Sequence, residues 1–284
     1  YMHNGKEKQF KDYCADVFFD EAKRFMSESA QKNKPFMCYL ATNTPHGPFW
    51  PKEEDRKAIA EVLADPKFDH LNGGLKNRLS LYLGMIRNID WNMGKLMKFL
   101  DDKGLSEDTI LIFKTDNGSL LGPQYFNAGM RGKKTEIWEG GHRVPCFIHW
   151  PAGKLTGGRD VEQLSAHLDV LPTLVDLCRL QTPKNYKADG ISLKPALDGM
   201  VKNIGPRVLV ESFNGIVMTQ RWRHMRHPRF RKDPTFDSRL LYDMSADPTQ
   251  ENDVSREQPK VASRLGLVLE RVNARNDNRQ QRYI

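Results

Sequence analysis

The sequence predicts an α/β fold in two parts: a mostly parallel sheet flanked by helices, then a small antiparallel sheet with one packed helix. Three observations predict it. Apolar runs at 36–41, 109–114 and 144–150 have strand length, and helical stretches at 17–26, 75–103 and 165–180 alternate with them. Beyond Gln181 the texture changes to prolines, glycines and lysines, then to short strand-like runs and a last amphipathic stretch. Finally, 284 residues are enough for a large domain and a small one. The expected division is 1–183 and 184–284.

Taken in order, residues 17–26 place Val17, Phe18, Ala22, Phe25 and Met26 on one side of a helix, which 32–35 ends. Residues 36–41, FMCYLA, predict a buried strand. It empties into TNTPHGPFW, where Pro45 and Pro48 stiffen a loop and present His46. Residues 52–74 are charged and predict irregular surface. Over 75–103, Tyr82, Ile86, Ile89, Met93, Leu96 and Leu100 recur at steps of four and three, one stripe of a long helix with Gly104 as its cap. Asp90, beside the stripe, fits a structural hydrogen bond or ion pair.

The apolar run from Thr109 to Phe113 predicts a buried strand that breaks into Thr115-Asp116-Asn117-Gly118. In open α/β sheets, sites sit at the carboxyl ends of strands. There Asp116 and Asn117 put two hard oxygen ligands side by side. An Asp-Asn-Gly triplet alone is most often only a turn. Lys133 and Lys134, followed by Glu139-Gly140-Gly141, add cations to the same loop system; a lysine alone is most often a solvated charge. Residues 165–180 form a further helix, with Pro172 near its first turn. Strands are expected at 207–213, 216–225 and 240–244, a helix at 259–272, and a polar, Arg-rich, frayed tail at 273–284.

Hydrophobic residues make up 39% and charged residues 28%, so a folded globular chain is expected. No apolar run reaches the roughly 18 residues of a membrane helix. No signal peptide is visible, which says little for a chain starting at Tyr1. The net charge of +8 favours anionic partners. No nucleic-acid module is recognisable, so nucleic acid is not expected. Cys14, Cys38, Cys146 and Cys178 form no CxxC pair, which argues against a zinc ribbon; Cys38 and Cys146 lie in apolar runs and are expected as core thiols.

The motifs TDNG, RGKKTEIWEGGHRVP and HLDVLPTLVDLC follow one another, with NTPHGPF upstream and DGISLKPALDG and LYDMSADPTQEND downstream. In this order, from about Val17 to about Val254, the sequence resembles the sulfatase family, calcium-dependent sulfate-ester hydrolases of the alkaline-phosphatase superfamily. The resemblance implies an alkaline-phosphatase-like fold. It makes Asp116 and Asn117 ligands of Ca²⁺, with Mg²⁺ as the alternative, and Lys134 the sulfate-contacting lysine; Lys133 is one residue away should the register slip. It sets His46 against the sulfate and the leaving-group oxygen, and gives His167 and Asp169 a structural role. The chemistry agrees: a departing sulfate monoester needs cations around its oxygens and a proton donor. Relatives that cleave phosphate esters with two zinc ions tend to carry Asp-His where this chain has Asp116-Asn117, and an amide oxygen suits a hard cation and a sulfate ester.

One departure matters. Sulfatases carry their nucleophile in a C/S-x-P/A-x-R motif, whose Cys or Ser is oxidised to formylglycine. CADVF, CYLAT, CFIHW and CRLQT all fail it, as does every serine. The resemblance therefore covers the C-terminal portion of a sulfatase. Formylglycine and further metal ligands are expected in an absent N-terminal part, and the chain alone is expected to be inactive and to bind metal poorly. The expected partners are a sulfated small molecule or sulfated glycan, and an N-terminal polypeptide completing the domain. The family places such enzymes in the periplasm, outside the cell or in lysosomes. The alternative is a non-catalytic protein that binds sulfated glycans.

Overall fold

The computed structural model describes residues 1–211, 215–226 and 239–280. They fall into two compact units, Tyr1–Thr109 with Trp150–Ala152, and Ile110–His149 with Gly153–Ile284.

The first unit is helical. Helix α1, Cys14–Gln31, is longer at both ends than its apolar spacing predicts. It buries Ala15, Val17, Phe19, Ala22 and Met26, while Phe25 turns outward. Helix α2, Glu53–Leu63, replaces the irregular surface expected there. Its first turn carries Glu53, Glu54 and Asp55 at the positive end of the helix dipole, and Asp55 is buried against Arg87. Helix α3, Gly73–Asp102, is capped by Asn72, whose Oδ1 accepts the Leu75 N–H at 2.9 Å. Gly104 takes φ +65° just beyond its end.

The buried face of α3 is shifted from the predicted stripe: Tyr82, Met85, Asn88, Asn92, Leu96 and Leu100 lie inside, and Ile86 is exposed. Two asparagines belong to this face because Asp16 of α1 meets them. The Nδ2 groups of Asn88 and Asn92 donate to Asp16 Oδ1 at 3.1 and 2.8 Å, and Lys52 pairs with the same carboxylate. Burial pushes the Asp16 carboxyl up, but Lys52 and the two amides outweigh it and hold it below its ordinary value.

Residues 36–41 form no regular element and pair with no described strand. Met37 and Tyr39 are 75% and 81% exposed, against the expected buried strand. An apolar run is buried only where neighbouring strands or a second layer cover it, and none of the described strands does. Cys38 is accordingly half-buried, not a core thiol; the burial it has raises its pKa.

In the second unit β1, Leu111–Lys114, and β2, Cys146–His149, pair antiparallel, with Leu111 opposite His149 and Lys114 opposite Cys146. Every described strand pair is antiparallel, so the mostly parallel sheet that was expected is not seen among the described strands. β1 is half-buried throughout, and Cys146 and Phe147 are exposed, so Cys146 is not a core thiol either. All four cysteines are free.

Helix α4, Val170–Leu177, is shorter than the predicted 165–180, and a 3-10 turn, His167–Asp169, leads into it and ends on Asp169. This fully buried carboxylate accepts the N–H groups of Ala166 and Ile191 at 2.7 and 2.9 Å and pairs with Arg207. The chain then enters a four-stranded antiparallel meander: β3, Leu209–Glu211; β4, Ile216–Met218; β5, Trp222–Arg226; and β6, Arg239–Asp243. Residues 212–213 of the predicted first strand lie outside the described residues. The single strand expected over 216–225 is a hairpin: Thr219 N–H donates to the Trp222 carbonyl at 2.8 Å, and Thr219 Oγ1 accepts the Trp222 N–H at 2.9 Å. Helix α5, Pro259–Gln280, runs on through most of the expected frayed tail, whose arginines and glutamines are good helix formers; 281–284 lie outside the described residues.

The meander is covered on both faces. Val217 and Leu241 pack on Ala262, Leu265 and Leu269 of α5. Their sequence neighbours Ile216 and Tyr242, with Met225, point the other way and pack on Ile137 and Trp138 of the long loop between β1 and β2. That loop carries most of the predicted site. Among the described residues no helix is long and apolar enough to cross a membrane.

Candidate functional site

The chain leaves β1 at Lys114 and reaches Asp116 and Asn117 two residues later. Asp116 is exposed, and among the described residues its carboxylate has no hydrogen bond or ion pair. Asn117 is half-buried and donates its Nδ2 to the Gly118 carbonyl at 2.8 Å. That bond fixes the amide and leaves Oδ1, the harder donor, uncommitted. Ser119 then turns the chain, its Oγ accepting the N–H groups of Leu121 and Gly122.

The lysine segment lies back on this turn. Lys134 N–H donates to the Ser119 carbonyl at 3.2 Å, and Gly118 N–H to the Gly141 carbonyl at 2.9 Å. The approach is close enough that a Cβ on Gly118 would fall 2.0 Å from the Gly140 carbonyl oxygen. Asp116-Asn117 and Lys134 are therefore brought together through their backbones. Thr135, directly after Lys134, takes φ +74°, an outlier for a β-branched residue.

The two lysines differ. Lys133 is exposed and reaches Glu136 at 4.0 Å. Lys134 is half-buried, and among the described residues its ammonium has no carboxylate partner. An uncompensated, partly desolvated cation is the better anion contact.

His46 belongs to the first unit. It is exposed on a loop with cis peptides at Thr44-Pro45 and Gly47-Pro48, and its backbone N–H donates to the Asn43 carbonyl. Its Nδ1 lies 2.8 Å from the Gly47 carbonyl. A carbonyl only accepts, so Nδ1 carries a proton and Nε2 is the atom offered outward.

Among the described residues no three His, Cys, Asp or Glu side chains gather to hold a metal. Asp116 and Asn117 fit a hard cation by chemistry, as open carboxylate and amide oxygens on adjacent residues, but Ca²⁺ takes roughly six to eight oxygens. They fit as part of its shell.

The sequence gives no local sign of what braces the loop. Glu139 is 2% exposed; Arg223 of β5 donates Nε to its Oε1 at 2.8 Å, and Gln250 Oε1 accepts its backbone N–H at 2.9 Å. These partners lie 84 and 111 residues downstream, beyond any periodicity.

A family model described as Sulfatase matches residues 1–180. An N-acetylgalactosamine-6-O-sulfatase of Bacteroides thetaiotaomicron is 26% identical over 97% of this chain and 54% of its own length. An uncharacterised sulfatase of Escherichia coli is 31% identical over 66% of this chain and 31% of its own length. Among solved structures, Ps i-CgsB matches 95% of the chain with TM-score 0.77 and 26% identity, covering 56% of that protein. A structure bound to its substrate D-glucosamine-2-N,6-O-disulfate shares the fold over 97% of the chain, with TM-score 0.71 and 20% identity. The chain thus spans about half the length or less of the curated relatives it matches. Its fold is the α/β, alkaline-phosphatase-like fold of those structures, and the chain belongs to the sulfatase family.

Proposed function

We propose that this chain is the C-terminal part of a sulfuric ester hydrolase that cleaves sulfate esters of aryl or carbohydrate substrates. On this reading residues 1–183 belong to the catalytic α/β domain and 184–284 form its C-terminal subdomain. The observation that carries the reading is the joining of two open hard oxygens, on Asp116 and Asn117, to a lysine without a carboxylate partner, through the Lys134–Ser119 and Gly118–Gly141 backbone hydrogen bonds.

Asp116 and Asn117 would hold Ca²⁺, or Mg²⁺, which the same donors suit. Such a cation draws charge from the sulfuryl oxygens. Lys134 neutralises a further sulfate oxygen, with Lys133 beside it as a weaker, screened charge. His46, held through Nδ1, offers Nε2; in its protonated form it gives the leaving oxygen its proton. The formylglycine nucleophile and the remaining metal ligands belong, on this reading, to sequence outside these 284 residues. Relatives named for sulfated sugars and for steryl or aryl sulfates both match the chain, so either substrate class fits the reading. A periplasmic, secreted or lysosomal setting goes with the sulfatase family.

The test measures sulfate release from an aryl sulfate and from a 6-sulfated N-acetylhexosamine. The chain is assayed alone and with the N-terminal polypeptide of its parent protein, in calcium and in chelator. Turnover is expected only in the complemented, calcium-containing reaction, and is lost in Lys134→Ala. No turnover in any arm, with salt-sensitive binding to a sulfated glycan retained, overturns catalysis in favour of a glycan-binding protein, a role that the net charge of +8 would suit.

A further inference from the structure

The C-terminal meander reaches the lysine loop through more than apolar packing. Trp138 is held edge-on to Tyr242, with ring centroids 5.6 Å apart, and the Arg131 guanidinium lies 3.6 Å from its ring centroid. Arg131 also donates Nη1 to the Gln250 carbonyl at 2.6 Å. Gln250 returns the contact with its side chain, accepting the Glu139 N–H, while Arg223 binds the Glu139 carboxylate. The loop segment between Arg131 and Glu139, with Lys134 inside it, is thus gripped at both ends.

Two features of the grip are costly. Gln250 is fully buried at φ +60°, and among the described residues its Nε2 has no hydrogen-bond partner. The conformation is imposed by Asp247, whose carboxylate accepts the N–H groups of Asn252 and Glu251 at 2.8 and 3.1 Å. Burial pushes that carboxyl up, but these backbone donors hold it below its ordinary value. Strain and an unsatisfied amide persist only where the surrounding structure over-determines them, and such sites cluster where geometry matters for function. Thr135 at φ +74° adds a second strained residue beside Lys134.

We infer that Arg223, Gln250 and Arg131 are positioning residues that set Lys134 against the Asp116-Asn117 turn, acting through Glu139 and Trp138. The inference rests on the reading of Lys134 as the sulfate contact, and its test separates the two. Amide hydrogen exchange is followed in the whole chain, in Arg223→Met and in Arg131→Ala. Arg131 is exposed, so its variant folds even if Arg223→Met does not. The Lys134 and Gly118 amides are expected to exchange about tenfold faster or more in the folded variants, with the amides of α4 unchanged. Inorganic sulfate is then titrated against wild type, Arg131→Ala, Lys134→Met and the double variant. The loss of affinity from Arg131→Ala should vanish once Lys134 is gone, which general destabilisation cannot produce. Unchanged exchange at Lys134 and Gly118, or equal acceleration everywhere, overturns the clamp. Accelerated exchange in a chain that never binds sulfate keeps the clamp and removes the role given to Lys134.

Discussion

Lys133 and Lys134 are adjacent, yet one reaches a carboxylate at 4.0 Å in solvent while the other is half-buried with none. Removing Lys134 should therefore weaken sulfate binding by about ten- to a hundredfold, the worth of a charge-assisted hydrogen bond, and removing Lys133 by about threefold or less; calorimetric titration of the two alanine variants checks the order. Asp243 gives a second residue-scale expectation. Arg221, bound at 2.6 Å, holds its carboxyl down at about 2, helped by Ser245 against the opposing effect of burial. A depressed carboxylate stabilises the fold above its unfolded pKa of about 4 and ceases to do so as pH falls through 2. Thermal melts between pH 5 and pH 2 should fall more steeply in wild type than in Asp243→Asn. The candidate oxygens of Asp116 and Asn117 could be proposed from sequence because their chemistry is local, two donors on neighbouring residues, and Lys134 because the resemblance puts a sulfate-contacting lysine at its step before Glu139. Arg223 and Gln250 could not, because their meaning is a contact made only after folding.

Among the elements, α1, α3 and α5 were visible through a repeat close to the helical period, though in the middle of α3, at Ile86, Ile89 and Met93, the repeat was read one position off while Tyr82, Leu96 and Leu100 are buried as expected. The two asparagines that face Asp16 look like surface until the partner carboxylate is known. Helix α2 was hidden by its charge, and its signal was instead electrostatic, three acidic residues at its start. The hairpin within 216–225 was missed because Thr219-Gln220-Arg221 has neither Gly nor Pro. The meander it belongs to has two working faces, which a matched pair of substitutions can separate. Ile216 and Leu241 are both fully buried, one toward the lysine loop and one toward α5. Ile216→Ala and Leu241→Ala should each cost about 2–5 kcal/mol. Denaturant titration measures that loss, and only Ile216→Ala should also speed exchange at the Lys134 amide.

Across the whole chain, burial was the property least legible in sequence. The run at 36–41 has a strand's composition, yet it forms no strand and its side chains at Met37 and Tyr39 face solvent, as does Phe147 of β2. Composition reports what a segment can bury, while burial depends on what lies beside it. An exposed apolar segment also invites association. Met37→Thr with Tyr39→Thr should raise the protein concentration at which light scattering begins, and shift stability by no more than about 0.5 kcal/mol. The turn that joins Asp116-Asn117 to the lysine segment sets a different kind of limit. A Cβ on Gly118, Gly140 or Gly141 would lie 2.0–2.3 Å from a carbonyl oxygen, although none of the three has a left-handed φ. Gly129, Gly157 and Gly158 have the left-handed φ and open space around them. Asparagine can replace the second kind during evolutionary drift, but no amino acid with a side chain can replace the first. The path of neutral change through this loop is closed by backbone meeting backbone, however freely the rest of the chain drifts.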